Sequence, residues 1–291
     1  MRPLYAVLDP LWSRAPLPAS PRFERVRVGP LDAWRMGRAV GGRVWMWVYV
    51  YVVGDTMVDS GLGPLGEQVV AAARERGVRR AVLTHHHEDH SGNAARLLAE
   101  GVDVRASAAT GRLLAAPSPV PFYEHLFWGG PPRPARPVAL AGEVGLGDLG
   151  ATVIPAPGHC DDQVVFHVPS EGWLFSGDVF LHERVKLFRR DEDFAATLAT
   201  LERLCALDFD ALYCAHRPRP ERGKAALRAK LDWLREIEGR VRSLHARGMG
   251  PRAIARALKI PPNPMVWLTW GDASTLNLVR SVLEGPRPRP A

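Results

Sequence analysis

One hexapeptide, His85-His86-His87-Glu88-Asp89-His90, constrains this chain more than any other part of its sequence. It follows a short apolar run, Ala81-Val82-Leu83, which predicts a buried strand. Burying several imidazoles and a carboxylate without partners would cost several kcal/mol. Neutral imidazole and carboxylate are ligands that suit zinc, and also iron or manganese. The hexapeptide therefore predicts a metal site at the end of a strand rather than a solvated polar loop.

Strand-like and helical patterns alternate on both sides of the hexapeptide. β-Branched and aromatic residues predict strands between Arg43 and Asp59, and a helix follows that ends at Gly77. The alternation continues to Cys214 and is typical of a layered α/β domain. Beyond Pro220 only helical spacing remains, so we predict one domain over residues 1–218 and a helical C-terminal domain over 219–291, with a winged-helix-like arrangement as one form.

Bulk properties limit the classes of protein to which this chain can belong. No apolar run approaches the roughly 20 residues of a membrane span, and residues 1–10 lack the apolar stretch of a secretory signal. The three cysteines are scattered, which argues against a disulfide framework and predicts a cytoplasmic location. A net charge of +7 agrees with an anionic substrate or RNA, but a GC-rich coding sequence would also favour arginine.

Three further residues with ligand-type side chains, His159, Asp178 and His216, each follow a predicted strand or apolar run. A solvated polar loop is already the less favoured explanation of the hexapeptide alone, and it does not explain why metal-ligand chemistry recurs at the ends of several strands. We therefore expect these three residues to meet the hexapeptide in the folded chain.

The segment Thr84 to His90 resembles the T-H-x-H-x-D-H signature of the metallo-β-lactamase superfamily. The other motifs of that family follow in order over about residues 43 to 216: Val58-Asp59-Ser60-Gly61, Pro157-Gly158-His159, Ser176-Gly177-Asp178 and Ala215-His216. The resemblance implies an α/β (α+β) fold, a four-layer αββα sandwich with its site at one edge between two sheets. Residues 1–218 would form that catalytic domain, and the C-terminal helices would be an appendage to it.

The resemblance also implies a role for each ligand-type residue. One divalent ion would be held by His85, His87 and His159, and a second by Asp89, His90 and His216, with Asp178 bridging the two. Asp59 would orient the ligands of the hexapeptide from behind. Two such ions, zinc before iron or manganese, deprotonate a bridging water at neutral pH, and Asp89 is the expected catalytic residue that moves its proton.

Two departures from the family pattern inform the prediction. Asp178 stands where members of the main zinc β-lactamase subclass have a cysteine, so cleavage of β-lactams is not predicted. Cys160 follows Pro-Gly-His where a threonine is common in the family. We interpret Cys160 as a small residue packed near the site, with a soft extra ligand or a redox-sensitive thiol as the alternative.

The predicted substrate is a small molecule, because the hexapeptide and Asp178 resemble the pattern of glyoxalase II-like hydrolases, which cleave acylglutathione thioesters. The positive net charge of the chain is compatible with an anionic substrate. A thioester, ester or lactone is therefore expected. The stretch 117–137 is rich in proline, glycine and aromatic residues and is the natural lid, with Tyr123, His125 and Trp128 as candidate substrate contacts. Basic residues at 184, 186, 189 and 190 form either an anion-binding rim or a solvated surface run.

Two alternative functions remain open. The C-terminal helices are similar to those of β-lactamase-like protein 2 relatives, some of which cut single-stranded RNA, and Met249 to Ala255 is similar to the start of a helix-turn-helix. The sequence has none of the interleaved aromatic and basic residues of RNA-binding platforms, which makes nucleic acid the less favoured partner. A non-catalytic metal-binding module is the third hypothesis; a lost ligand would have supported it, and none is lost. No membrane partner is predicted.

Overall fold

The computed structural model describes residues 19–261 and 265–285, and within those residues the strands form two sheets. The strands of the first sheet are β1 (Ala19–Val28), β2 (Leu31–Val40), β3 (Arg43–Val44), β4 (Val48–Val53), β5 (Thr56–Val58), β6 (Arg80–Val82), β7 (Asp103–Ala106) and β8 (Val138–Ala139). Their spatial order is β1-β2-β4-β5-β6-β7-β8, with β3 beside β2. Strands β5 to β8 run parallel to one another, so their carboxyl ends lie at one edge.

The second sheet contains the strands β9 (Glu143–Leu146), β10 (Leu149–Pro155), β11 (Val164–Val168), β12 (Trp173–Gly177) and β13 (Ala211–Cys214). Their order is β13-β12-β11-β10-β9. Strand β11 is antiparallel to both β10 and β12, and β13 is parallel to β12. Strands β10, β12 and β13 therefore share one direction, and their carboxyl ends also meet at a common edge.

Helices follow or connect these strands. A 3₁₀ turn at Gly63–Leu65 leads into α1 (Gly66–Arg76), which ends at Gly77 in the left-handed conformation, φ 69°, as the sequence predicts. The other helices are α2 (Glu88–Ser91), α3 (Ala94–Ala99), α4 (Ala108–Ala115), α5 (Phe122–Phe127), α6 (Phe194–Cys205), α7 (Gly223–Ala246), α8 (Pro251–Ala257), α9 (Met265–Leu268) and α10 (Thr275–Glu284).

Apolar side chains from both sheets form the core between them, including Tyr51 and Val82 from the first sheet and Phe166 and Phe175 from the second. A second cluster lies under helices on the outer face of the first sheet. A third joins the outer face of the second sheet to α6, α7, α8 and α10. The order of layers is helices, sheet, sheet, helices, and the predicted αββα fold with C-terminal helices is confirmed.

The differences from the sequence prediction are local. Strands β1 and β2 were not predicted; most of the β1 side chains are exposed or half-buried, and β1 is held by pairing with β2 along its whole length rather than by an apolar pattern. The predicted long loop at 117–137 contains the helix α5. The short helix α2, which begins within the hexapeptide at Glu88, was not predicted.

The predicted amphipathic helix of the C-terminal part is present as α7, and its side chains Leu227, Leu231, Leu234, Ile237 and Val241 are all buried. They pack in the same cluster as α6 of the preceding region. The domain boundary at residue 218 stays a prediction. Among the helices of the described residues, none is both long enough and apolar enough to cross a membrane.

Candidate metal centre

Seven side chains meet where the strand ends of the two sheets come together, and we call them the donor cluster: His85, His87, Asp89, His90, His159, Asp178 and His216. The first four follow β6, and the other three follow β10, β12 and β13 in turn. Because these strands point their carboxyl ends toward the same edge, residues more than a hundred positions apart become neighbours. The structure thus brings together all seven residues that the sequence singled out as ligands.

Three imidazoles of the donor cluster form a compact group. Nδ1 of His87 lies 3.0 Å from Nε2 of His85 and 3.0 Å from Nε2 of His159. Nitrogens that share one tetrahedral zinc ion lie about 3.3 Å apart, given Zn–N bonds of about 2.0–2.1 Å. The spacing of these three nitrogens is therefore close to that of ligands around a common ion.

The remaining histidines of the donor cluster face carboxylates. Nε2 of His216 lies 3.4 Å from Oδ2 of Asp89 and 3.3 Å from Oδ2 of Asp178. Nε2 of His90 lies 3.5 Å from Asp89 Oδ2 and 3.4 Å from Asp178 Oδ1. Oδ2 of Asp178 is also 3.5 Å from Nε2 of His159. Asp178 thus lies between the imidazole group and this second group, in a position to serve both.

Two atoms of the donor cluster test whether a metal fits. Nε2 of His90 and Oδ1 of Asp178 are buried and have no hydrogen-bond partner among the described residues, although they are only 3.4 Å apart. Buried polar atoms are rarely left unpaired because desolvation without a partner is costly. A cation bound by both atoms would remove that cost, so the residues present fit a divalent metal.

Asp59 supports the donor cluster from behind. Its Oδ2 accepts a hydrogen bond from Nδ1 of His90 at 2.8 Å, and its Oδ1 accepts from the backbone N–H and the hydroxyl of Thr84. Asp59 has φ 65°, a left-handed conformation that is uncommon for residues other than glycine. Such strain persists where surrounding contacts hold it, often at functional sites. The predicted orienting contact of Asp59 is present at His90.

His159 and His216 are held in the same way, by groups that the sequence did not indicate. Nδ1 of His159 lies 3.1 Å from Oε1 of Glu192, and Nδ1 of His216 lies 2.8 Å from the backbone carbonyl of Trp47. Carboxylate and carbonyl partners of this kind fix the ring orientation of metal-binding histidines. Every residue carries the same backbone carbonyl, so no sequence pattern could have revealed the contact at Trp47.

Glycine is required next to His159 because Gly158 has φ 141° and lies against α6. A Cβ atom added there would fall 2.7 Å from Cα of Thr197. The close approach is open only to glycine, and it brings the loop after β10 down onto the start of α6. The conformation of this loop positions His159.

Electrostatics keep His85, His87 and Asp178 in the forms that metals bind. Burial lowers the pKa of His85 and of His87 well below the usual value, so both imidazoles are neutral. Burial opposes ionisation of Asp178, but the neighbouring His216 and His90 outweigh it and hold the pKa of Asp178 well below its usual value. Neutral imidazole and ionised carboxylate are the states required for metal coordination. At His90, His159 and His216 neighbouring carboxylates outweigh burial and raise the pKa, so an ion bound there would displace protons.

Asp162 is a site residue that sequence analysis missed. It is buried, and it accepts hydrogen bonds from the backbone N–H of His86 at 2.9 Å and from the hydroxyl of Thr110 at 2.9 Å. Its other oxygen lies 2.8 Å from Nδ1 of His86. This carboxylate holds the middle of the hexapeptide from outside the donor cluster, and its position two residues after Cys160 was the only sequence signal.

Cys160 lies beside the imidazole group, with its sulfur within 4.8 Å of a ring nitrogen of His85 and of His87. Burial, together with the nearby Asp162, raises the pKa of the Cys160 thiol well above its usual value. Both effects favour the protonated thiol over the thiolate that metals bind. The interpretation of Cys160 as a residue packed against the site agrees with this environment.

The three candidate substrate contacts have different surroundings. The ring of Trp128 packs against His216, with centroids 5.8 Å apart. Tyr123 is buried, and its hydroxyl donates to Asp272 at 2.8 Å. His125 is only 2% exposed. The structure therefore brings Trp128 to the donor cluster, whereas Tyr123 and His125 lie in the packing that anchors the loop.

Two cavities formed by the described residues reach the donor cluster. One of about 180 Å³ is lined by His159 and Asp178 and continues between α7 and the segment after β12. The other, of about 520 Å³, is bounded by His87, Glu88 and the stretch 117–121. The basic residues predicted as a rim are divided between them: Arg184 and Lys186 line the first, and Arg189 and Arg190 line the second.

Comparisons with known proteins agree with this architecture. The sequence model of the metallo-beta-lactamase superfamily matches residues 41–216. Proteins named hydroxyacylglutathione hydrolase are similar in sequence: one from Cereibacter sphaeroides is 31% identical over 52% of this chain, and one from Fuscovulum blasticum is 27% identical over 72%. The matches span 54% and 76% of the lengths of these two relatives.

Solved structures are similar in fold. A metallo-beta-lactamase from Pontibacter korlensis has a TM-score of 0.58 at 21% identity and covers 74% of this chain and 99% of its own. A metallo-beta-lactamase family protein from Thermus thermophilus has a TM-score of 0.58 at 18% identity and covers 91% of this chain and 92% of its own. At these identities the similarity concerns the fold alone.

Proposed function

Because this chain belongs to the metallo-beta-lactamase superfamily, we propose that it is a dinuclear metal-dependent hydrolase that cleaves a small thioester. One observation carries the proposal: seven ligand-type side chains converge at one sheet edge, and among them His90 Nε2 and Asp178 Oδ1 are buried without a partner among the described residues. The hydroxyacylglutathione hydrolases among the relatives support a thioester as the bond cleaved. Esters and lactones present the same electrophilic carbonyl carbon and belong in the substrate panel.

We assign His85, His87 and His159 to one ion, Asp89, His90 and His216 to the other, and Asp178 to both. Ions bound there would lower the pKa of water and polarise the carbonyl under attack. We propose zinc first because imidazole and carboxylate donors suit it, and iron or manganese accept the same set.

Asp89 is proposed as the catalytic residue. Its side chain is buried, and its Oδ2 lies within 3.5 Å of the Nε2 atoms of His90 and His216. A carboxylate in this position can take the proton of the attacking water and deliver it to the leaving thiolate. Asp59 cannot fill this role because both of its oxygens are engaged by Thr84 and His90.

Metal content and activity together test the proposal. The wild-type protein should bind two metal ions per chain and hydrolyse at least one substrate in a panel of an acylglutathione, an acyl-CoA, a simple ester and a lactone. His87→Ala and His216→Ala should each lower the content to about one ion, because each removes a ligand of a different ion. His245→Ala is the matched control, because His245 is an exposed histidine of α7. It should retain both ions.

Asp89→Asn should lower kcat by roughly 10²–10⁴-fold, the usual range for a positioned acid or base. Two bound ions without hydrolysis of any member of the panel would contradict the thioesterase proposal. Cleavage of a labelled single-stranded RNA that weakens steeply with salt would instead favour the phosphodiesterase alternative. A small-molecule substrate and a cytoplasmic location remain part of the proposal.

A further inference from the structure

Lys230 of α7 carries a buried ammonium group into the 180 Å³ cavity that adjoins His159 and Asp178. Its side chain is only 7% exposed. The one hydrogen bond that it makes to the described residues goes to the backbone carbonyl of Val179, at 2.6 Å. An ammonium has three N–H donors. Two donors of Lys230 are therefore available to a molecule in the cavity.

The walls of this cavity are mainly apolar. They are formed by Val179, Leu181, Val185, Phe188 and Leu234, with the ligand-type side chains of His159 and Asp178 on the side of the donor cluster. A volume of about 180 Å³ accommodates about six water-sized groups at roughly 30 Å³ each. Such walls favour a short aliphatic chain, while the buried ammonium favours an acceptor carried by that chain.

The charges around the cavity favour an anionic acceptor. The basic residues Arg184 and Lys186 also line the cavity. The acidic residue Glu192 lines it too, but its Oε1 lies 3.1 Å from Nδ1 of His159 and is engaged there. Burial lowers the pKa of Lys230, while Glu192 and Asp178 oppose that effect. A hydrogen bond with one ionised partner is about twice as strong as a neutral one, and Coulomb attraction is added when donor and acceptor carry opposite charges. A single ammonium acts as a compact point charge and suits a monoanionic carboxylate.

We propose that this cavity binds a carboxylate-ended chain of a few carbons in the substrate, with Lys230 as the residue that selects the carboxylate. The chain could belong to the acyl half or to the thiol half of a thioester, and the chemistry recognised is the same. The assumption that the bound molecule is a thioester rests on the proposed function, whereas the inference that the cavity binds a carboxylate does not. Lys230 acts on specificity and is not a catalytic residue.

A binding measurement tests the inference without requiring hydrolysis. Monomethyl glutarate carries one carboxylate on a short chain, and dimethyl glutarate is its neutral counterpart. The metal-loaded wild-type protein should bind the monomethyl ester at least tenfold more tightly in a calorimetric titration. In Lys230→Gln, which can still donate to Val179 but has no charge, the preference should fall to near unity.

Lys224→Gln is the matched control. Lys224 lies on the same helix and also donates to a backbone carbonyl, that of Leu207, but it does not line the cavity. It should keep the wild-type preference. Lys230→Arg retains the charge and should keep a preference for the monomethyl ester. Because a carboxylate could also bind the metal ions directly, a preference that persists in Lys230→Gln would overturn the assignment to Lys230.

Kinetics then identify the half of the substrate that enters the cavity. One pair is the succinyl and butyryl thioesters of a single neutral thiol, and the other is the butyryl thioesters of 3-mercaptopropionate and propanethiol. A tenfold preference in kcat/KM for the charged member of one pair, lost in Lys230→Gln, would assign the cavity to that half.

Equal binding of both glutarate esters by the wild-type protein overturns the inference, whether or not the variants fold. In that case Lys230 only ties α7 to the turn after Asp178. Failure of all thioesters to react, with carboxylate binding intact and dependent on Lys230, contradicts the proposed function and leaves this inference standing.

Discussion

Asp59 and His90 are 31 residues apart in the sequence, yet Oδ2 of Asp59 accepts a hydrogen bond from Nδ1 of His90 at 2.8 Å. Asp59 directly follows β5, and His90 lies in α2, the short helix after the neighbouring parallel strand β6. Nε2 of His90 therefore points toward Asp178, and the tautomer of the ring is set by a carboxylate behind it.

We expect Asp59→Asn to lower the affinity for the metal ion held by His90 by about 10–100-fold, the usual cost of losing such a partner. Competition with a chromophoric chelator would measure the two affinities separately. Asp55→Asn, in the turn before β5, is the control because Asp55 pairs with Arg79 outside the donor cluster. Unchanged affinity for both ions in Asp59→Asn would show that the ring of His90 is held by packing alone.

Beside the donor cluster, Tyr51 of β4 and Trp47, the residue before β4, contact the second sheet and the loop that follows it. The hydroxyl of Tyr51 donates to the carbonyl of Cys214 at 2.6 Å in a buried position. We expect Tyr51→Phe to lower the free energy of unfolding by about 1–3 kcal/mol, because the carbonyl of Cys214 loses a partner. Urea denaturation would measure the change.

Tyr213→Phe is a matched control in the same core, since the rings of Tyr51 and Tyr213 are 5.3 Å apart. The hydroxyl of Tyr213 is buried and has no hydrogen-bond partner among the described residues. Removing it should leave the stability unchanged or increase it. Similar losses in both variants would mean that the hydrogen bond from Tyr51 contributes nothing specific.

The stretch 117–137 is fastened by an ion pair. Nη1 of Arg189 lies 2.8 Å from Oε1 of Glu124, whose side chain is only 3% exposed. Arg189→Met would leave the carboxylate of Glu124 buried and without its main partner. Because the guanidinium keeps 23% exposure, we expect the free energy of unfolding to fall by roughly 3 kcal/mol or less, the lower end of the range for breaking buried ion pairs. Limited proteolysis should cut this stretch faster in the variant, whereas Arg190→Met, at an exposed arginine, should behave like the wild type.

Metal removal should lower the melting temperature. An ion that binds only the folded state stabilises it, by about 2.7 kcal/mol when its free concentration is 100 times Kd. Differential scanning calorimetry with a chelator, and then with zinc restored, would measure a reversible shift. The double variant His87→Ala/His216→Ala should melt at the same temperature under both conditions. A wild-type protein insensitive to the chelator, with metal loss verified, would contradict coupling of the ions to the fold.

The sequence by itself determined which donor types the candidate centre contains and the order of its residues along the chain. Four ligand-type residues within the hexapeptide require no tertiary information, because six consecutive residues cannot separate in space. His159, Asp178 and His216 were predictable as members of the site because each follows a strand-like run, and strands of one direction end at one edge of a sheet.

Only the tertiary structure decided what surrounds that centre. The contacts of Asp162 and Glu192 depend on how loops from different strands pack, and the carbonyl of Trp47 has no side-chain identity that a sequence could display. Strand β1 exists because β2 pairs with it, not because its own residues are apolar. The sequence places Lys230 on a charged helix, but its burial in a cavity beside His159 results from packing α7 against the second sheet.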